Sequence, residues 1–173
     1  NIDPEKIEAA VTKRTKAIVP VHLTGLVCKM DAVMAIARKH RLAVIEDAAQ
    51  AIGSKYQGKR AGSFGDSASF SLHPLKNLHV WGDGGMITTN RADLAQRLKQ
   101  ERNHGLKNRD EVDFFSYNSR LDTLQAVVGL GAVPLLEQTT EKRRANPALY
   151  DSRLKKLSGC LEIPLSPADS YHT

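Results

Sequence analysis

Leu42-Ala43-Val44-Ile45-Glu46-Asp47-Ala48-Ala49-Gln50 runs from a continuous apolar stretch into two adjacent acids. An apolar run of this length, rich in β-branched residues, reads as a strand buried in a sheet. Working backwards, Asp31 precedes Val33, Met34, Ile36 and Ala37, the apolar side of a helix that Asp31 is expected to cap. Further back, Ala17-Ile18-Val19-Pro20-Val21 reads as a second buried strand, with Gly25 in the loop after it. Strand, helix and strand within about thirty residues make a βαβ unit with two parallel strands. Ahead of it, Asp3-Pro4-Glu5 is a helix start: a capping acid, Pro at the first helical position and an acid in the first turn.

Working forwards, Gly53, Gly58, Gly62 and Gly65 punctuate a loop or hairpin. Ser67-Ala68-Ser69-Phe70-Ser71-Leu72 alternates with a period of two, hence a strand. A long turn spans His73 to Gly85, and Met86-Ile87-Thr88-Thr89 is a short strand. Asn90 with Asp93 reads as the cap of a helix that buries Leu94, Ala95 and Leu98 and stops at Gly105. Ser119 with Asp122 reads as a similar cap for a helix carrying Leu121, Leu124, Val127 and Val128. Pro134 and Pro147 should bend or break the helical stretch in which they fall, and Leu149, Tyr150, Leu154 and Leu157 form a last apolar stripe. The fold class is therefore α/β, a sheet domain running into a helical arm. Ligands of open α/β sheets bind at the carboxyl ends of strands, which directs attention to Asp47 and to the turn after Leu72.

Composition narrows the function. With 41% hydrophobic residues the chain has material for a core, so wholesale disorder is excluded. The longest apolar stretch, Leu124 to Leu136, falls short of the about 20 residues that span a bilayer, so no membrane segment is expected. The net charge of +6 suits phosphorylated small molecules as well as nucleic acid, but aromatics are only 5% and no nucleic-acid reader motif is present. The basic runs Arg38-Lys39-His40-Arg41, Lys142-Arg143-Arg144 and Lys155-Lys156 read as solvated helix faces. Two cysteines, Cys28 and Cys160, are too few for a disulfide scaffold and point to a reducing, cytoplasmic setting.

Several residues could carry chemistry, each with a plainer reading beside it. Acids such as Glu46 and Asp47 at a strand end are often helix caps. A lone Lys such as Lys76 is ordinarily a solvated charge. His22, His73, His79 and His104 do not fall at a metal-ligand spacing, so no metal is expected. Gly82-Asp83-Gly84-Gly85 matches neither a dinucleotide fingerprint nor a P-loop, and no serine-nucleophile elbow is present.

The combination is more informative than its parts. Asp47, Gln50, Ser71, Lys76 and Tyr117-Asn118-Ser119-Arg120 together resemble the pyridoxal-phosphate sugar aminotransferases of the DegT/DnrJ/StrS type. The matching text includes Arg14 to Leu23, Val44 to Gln50, Gly65-Asp66 before Phe70-Ser71, Lys76-Asn77-Leu78 and Asp83-Gly84-Gly85. It continues through Asn103-His104-Gly105 and Tyr117 to Ala126, and so covers nearly the whole chain in order.

The resemblance implies part of the large domain of an aspartate-aminotransferase (type I) fold. Residues 1–136 would be the cofactor-binding large domain without its N-terminal part, and 137–173 a helical arm and the start of the small domain. Lys76 would form the Schiff base with pyridoxal 5'-phosphate and then move protons as acid and base. Asp47 would keep the pyridine nitrogen protonated, Gln50 would reach the ring hydroxyl, and Ser71 would donate to the phosphate. Asn118 would serve the phosphate region of a neighbouring subunit, so a homodimer with shared sites is implied. Arg120 has the fork geometry of a carboxylate or phosphate clamp, and His73 is a candidate substrate contact. The implied reaction moves an amino group, from glutamate, to a keto sugar carried as a nucleotide or phosphate derivative.

A pyridoxamine-dependent sugar dehydratase of the same family is the alternative, but those relatives carry His at the position of Lys76. A non-catalytic piece of the fold is another. His73-Pro74-Leu75 and His79-Val80-Trp81 depart from the family pattern near the lysine, which bears on the substrate subgroup. Trp81 could line the pocket or lie in the core under the turn. The resemblance further implies that the phosphate cradle and ring-stacking aromatic lie upstream of Asn1, leaving an apolar sheet face or edge exposed.

Overall fold

The computed structural model describes residues 1–157, 159–163 and 167–171. A four-stranded sheet is built from β1 (Ala17–Ile18), β2 (Ala43–Asp47), β5 (Ser67–Ser71) and β6 (Gly85–Thr88), in that spatial order. β1, β2 and β5 run parallel and β6 is antiparallel to β5. Helix α2 (Met30–His40) makes the crossover between β1 and β2, the expected βαβ unit. Helix α1 (Pro4–Ala10) precedes it, with the Asp3 carboxylate accepting the Glu5 N–H and Pro4 in the first turn.

Several boundaries differ from expectation for physical reasons. The strand expected over Ala17 to Val21 stops at Ile18, because Pro20 has no N–H for the ladder; Val21 rejoins through a single bridge to Asp47. Asp31 lies inside the first turn of α2 rather than at its cap, and accepts the Tyr56 hydroxyl at 2.7 Å. Helix α3 (Ala92–Glu101) is preceded by Arg91, not capped by Asn90, and Asp93 pairs with Arg91 instead. Leu94, Ala95 and Leu98 are half-buried on one side of it, and none is fully buried. Helix α4 (Thr123–Ala132) follows Asp122, whose side chain makes no capping bond; its Leu124, Val127 and Leu130 are exposed. Pro134 falls in a short 3-10 turn that leads into α5 (Leu136–Leu154). Pro147 does not break α5; it deprives the Arg143 carbonyl of its helical donor while the helix continues to Leu154.

A small antiparallel sheet joins β3 (Lys55–Tyr56), β4 (Lys59–Arg60) and β7 (Ser170–Tyr171). Gln57 and Gly58 both take positive φ, 49° and 77°, which fits the tight turn between β3 and β4. β7 returns the end of the described chain to β3, a pairing absent from the sequence-based expectation.

The core lies on one side of the four-stranded sheet. Met30, Val33 and Ala37 of α2 pack with Ile7, Ile18, Val44, Ala68 and Phe70. Burying each large apolar side chain contributes roughly 1.5–3 kcal/mol. The opposite side carries Val19, Val21, Ile45 and Ile87, all exposed. The strand expected from Leu42 to Ile45 is thus buried on one face only. Both cysteines are free, Cys28 buried and Cys160 exposed. Among the described residues no helix is long and apolar enough to cross a membrane.

Candidate active site

The carboxyl ends of β2 and β5 lie side by side, with Asp47 opposite Ser69. The segments leaving these ends bound a cleft of about 280 Å³, lined by Thr24, Ala49, Gln50, Ile52, Leu75, Lys76, Asn77 and Arg143. Lys76 sits in a tight turn whose N–H bonds the His73 carbonyl at 2.9 Å. Lys76 is half-buried, and its amine has no hydrogen-bond or ion-pair partner among the described residues. Gln50 enters the same cleft, and its Oε1 accepts the Thr24 N–H at 2.7 Å. Thr24 takes a left-handed φ of 55°, uncommon for a β-branched residue, in presenting that N–H.

Asp47 and Ser71 stand beside the cleft rather than lining it. Asp47 Oδ1 accepts the Ala49 N–H at 3.1 Å, and Oδ2 has no partner among the described residues. No helix follows Asp47, so its local capping serves a turn. Ser71 Oγ accepts the His73 N–H at 3.3 Å. His73 Nδ1 accepts from the Leu75 N–H, and its Nε2 lies 4.0 Å from Asp83.

Asn118 and Arg120 lie elsewhere in the chain's surface. Asn118 bridges to Asn103, and Arg120 donates to Asn103 Oδ1 at 2.5 Å. Asn118 Oδ1 accepts the Arg120 N–H at 3.3 Å. The two stretches Asn103-His104-Gly105 and Tyr117 to Arg120, distant in sequence, are therefore one knot, reinforced by the His104 N–H to Tyr117 carbonyl bond. Neither Asn118 nor Arg120 lines the lysine cleft. Trp81 is 75% exposed, so the core reading for it fails.

Two features escaped the sequence. Glu46 is fully buried, accepting the N–H groups of Gly62, Phe64 and Gly65 at 2.7–2.8 Å and facing His22 Nε2 at 3.0 Å. Burial pushes its carboxyl pKa up, but His22 and the three N–H groups outweigh that and hold it below the ordinary value. For His22, burial disfavours the charged ring while the Glu46 carboxylate at Nε2 favours it, and the pKa moves upward. The Cys28 N–H lies 3.3 Å from Nδ1, at the lone pair a second proton needs, and must move aside for the ring to charge. Gly62, with φ of +81°, fits here because a Cβ would lie 2.3 Å from Phe70. Glu46 is thus a structural anchor rather than a cap or a reactive acid. Arg143 is the second feature: it belongs to a basic run whose composition reads only as a solvated face, yet it lines the cleft.

The sequence profile described as the DegT/DnrJ/EryC1/StrS aminotransferase family matches residues 1–173. The chain belongs to this family. It is 48% identical over 173 residues to a pleiotropic regulatory protein of Geobacillus stearothermophilus, covering 99% of this chain and 46% of that one. It is 48% identical over 166 residues to a UDP-N-acetyl-3-dehydro-alpha-D-glucosamine 3-aminotransferase of Acidithiobacillus ferrooxidans, covering 96% and 44%. DesV of S. venezuelae, solved in complex with a ketimine intermediate, superposes with a TM-score of 0.92 at 39% identity over 99% of this chain and 46% of its own. The fold is that of the family's aminotransferases, an α/β sheet of mostly parallel strands with flanking helices. The chain spans about half the length of the curated relatives it matches.

Proposed function

We propose that the protein transfers an amino group from glutamate to a keto sugar carried as a nucleotide or phosphate derivative, with pyridoxal 5'-phosphate as cofactor. The unpaired amine of Lys76, in a cleft with Gln50 at the ends of two parallel strands, carries this reading. The residues fit the group chemically: an amine, an amide, a carboxylate with a free oxygen at Asp47 and a hydroxyl at Ser71. Bound there, the cofactor supplies the electron sink that amino transfer needs.

Lys76 Nζ would be the point of attachment for the cofactor and, as a free amine, would hold or move the proton at the substrate carbon. Asp47 would keep the cofactor's pyridine nitrogen protonated, Gln50 would orient the ring through its hydroxyl, and Ser71 would hold the phosphate. His73 would contact substrate beside its own cleft, and Arg120, held next to Asn118 away from that cleft, would do so at a neighbouring site. In a homodimer Asn118 completes the neighbouring site, which accords with its place away from its own chain's cleft. Residues 1–136 serve as the cofactor-binding domain and 137–173 as an arm leading to a smaller one; residues 158, 164–166, 172 and 173 lie outside the described residues. The reaction takes place in the cytoplasm, where two unpaired cysteines persist. The similarity to a UDP-sugar aminotransferase supports the substrate class.

The test is chemical. The protein is loaded with pyridoxal phosphate, reduced with borohydride and digested. The expected label lies on the peptide containing Lys76. A label confined to other lysines would remove the basis of the reading.

A further inference from the structure

The cleft around Lys76 has a charge pattern that the family assignment does not explain. Its lining carries two cations, Lys76 and Arg143, three neutral polar side chains, Thr24, Gln50 and Asn77, and no acid. Neither cation has a hydrogen-bond or ion-pair partner among the described residues. The neighbours of Arg143 in its basic run behave differently. Lys142 is exposed and lies outside the cleft, and the Arg144 guanidinium stacks on the Tyr171 ring at 3.7 Å. Arg143 therefore brings α5 to the lysine cleft.

We propose that Arg143 binds a carboxylate of the amino-acid donor and holds that donor beside Lys76. The inference rests on the aminotransferase reading and adds to it a residue for donor recognition. A guanidinium presents paired N–H donors in a plane that matches a carboxylate. With the Lys76 amine committed to the reaction, one positive charge remains, which balances one carboxylate. A guanidinium also pairs with phosphate oxygens, so pyrophosphate is the competing ligand that the test must separate from a carboxylate. Ile52 and Leu75 give the cleft apolar wall for the methylenes of a dicarboxylic donor, and Gln50 and Asn77 add neutral hydrogen-bonding groups. Arg143 lies on an exposed part of α5, and Gln is a good helix former, so Arg143→Gln leaves the helix intact.

The first measurement is a titration of the 15N-labelled protein with glutarate, which has the donor's two carboxylates and no reactive amine. The Arg143 side-chain N–H signal, assigned by its loss in Arg143→Gln, is expected to shift. Inorganic pyrophosphate at equal concentration is expected to leave it in place. The second measurement is steady-state kinetics. Arg143→Gln is expected to raise the KM for glutamate by about tenfold or more, the scale of a lost charge-assisted pair, while the KM for the keto sugar stays within about twofold. Arg143→Lys should recover part of that loss. A signal that moves with pyrophosphate and not with glutarate overturns the proposal, as does a KM effect on the keto sugar alone. If borohydride labels Lys76 while glutarate leaves Arg143 unmoved, this inference fails and the aminotransferase reading stands. If Lys76 is not labelled, that reading fails first.

Discussion

Glu46 and Asp47 are neighbours in one strand, yet they belong to two different environments. Successive strand residues point to opposite faces, so the pair is split by the sheet itself. Glu46 faces the closed side with Val44, Ala68 and Phe70, where its charge is enclosed by three backbone N–H groups and His22. Asp47 faces the open side with Ile45 and Ser69, half-buried, with one oxygen unengaged. The contrast separates two uses of a carboxylate. On the closed face the acid organises the Gly62–Gly65 loop and the turn at His22. On the open face it is left for a ligand. Identical chemistry at adjacent positions becomes architecture in one case and a candidate reactive group in the other.

The largest effect expected from breaking this contrast is at Glu46. Glu46→Ala strips a partner from buried His22 and from three half-buried loop N–H groups at once, and should cost about 3–5 kcal/mol in urea unfolding. Its pH dependence has a definite sign. The folded-state pKa lies below the ordinary value, so the contribution is complete above the unfolded value of about 4.3 and is lost as pH falls through the folded pKa. Acid titration of stability should therefore show a limb below about pH 4.3 that is absent in Glu46→Gln. A wild-type limb unchanged by that substitution would assign acid sensitivity to other carboxylates.

Asp47 should show the reverse profile. Asp47→Ala removes one local bond, to the Ala49 N–H, and is expected to change stability by about 1 kcal/mol or less. Turnover should fall by about a hundredfold or more at saturating cofactor, the range of a lost acid–base group. Near-native turnover would return Asp47 to the role of a turn cap.

How much of this was legible depends on the range of the contacts. The βαβ unit, the Asp3-Pro4 helix start and the alternating strand at Ser67 rest on neighbours in sequence, and all are present in the structure. Family membership was legible because spaced polar motifs keep their order along the chain. The fates of Glu46 and Asp47 were not, since an unbroken apolar run does not say which face is covered. The Glu46 anchor depends on glycine-loop N–H groups that leave no trace in side-chain identity. Arg143 reaches the cleft from α5, far along the chain, and a basic run on a helix carries no sign of such a contact. Pro20 did carry a signal, its missing N–H, and the strand ends short of it.

The smallest expected effect sharpens the contrast between the faces themselves. Phe70, 8% exposed on the closed side, and Ile87, 56% exposed on the open side, lie on paired strands one residue out of step. Phe70→Ala should cost about 3–5 kcal/mol, the scale of a large cavity in a packed core. Ile87→Thr keeps a β-branched side chain that suits a strand, removes little buried surface, and should stay within about 0.5 kcal/mol. It should also reduce self-association, since Val19, Val21, Ile45 and Ile87 together form exposed apolar surface. The measurement is urea unfolding of both variants at two protein concentrations, with light scattering alongside. A cost at Ile87 that approaches that at Phe70 and grows with concentration would mean that a second copy covers the open face in solution. Asp47 would then stand at an interface rather than on a free surface.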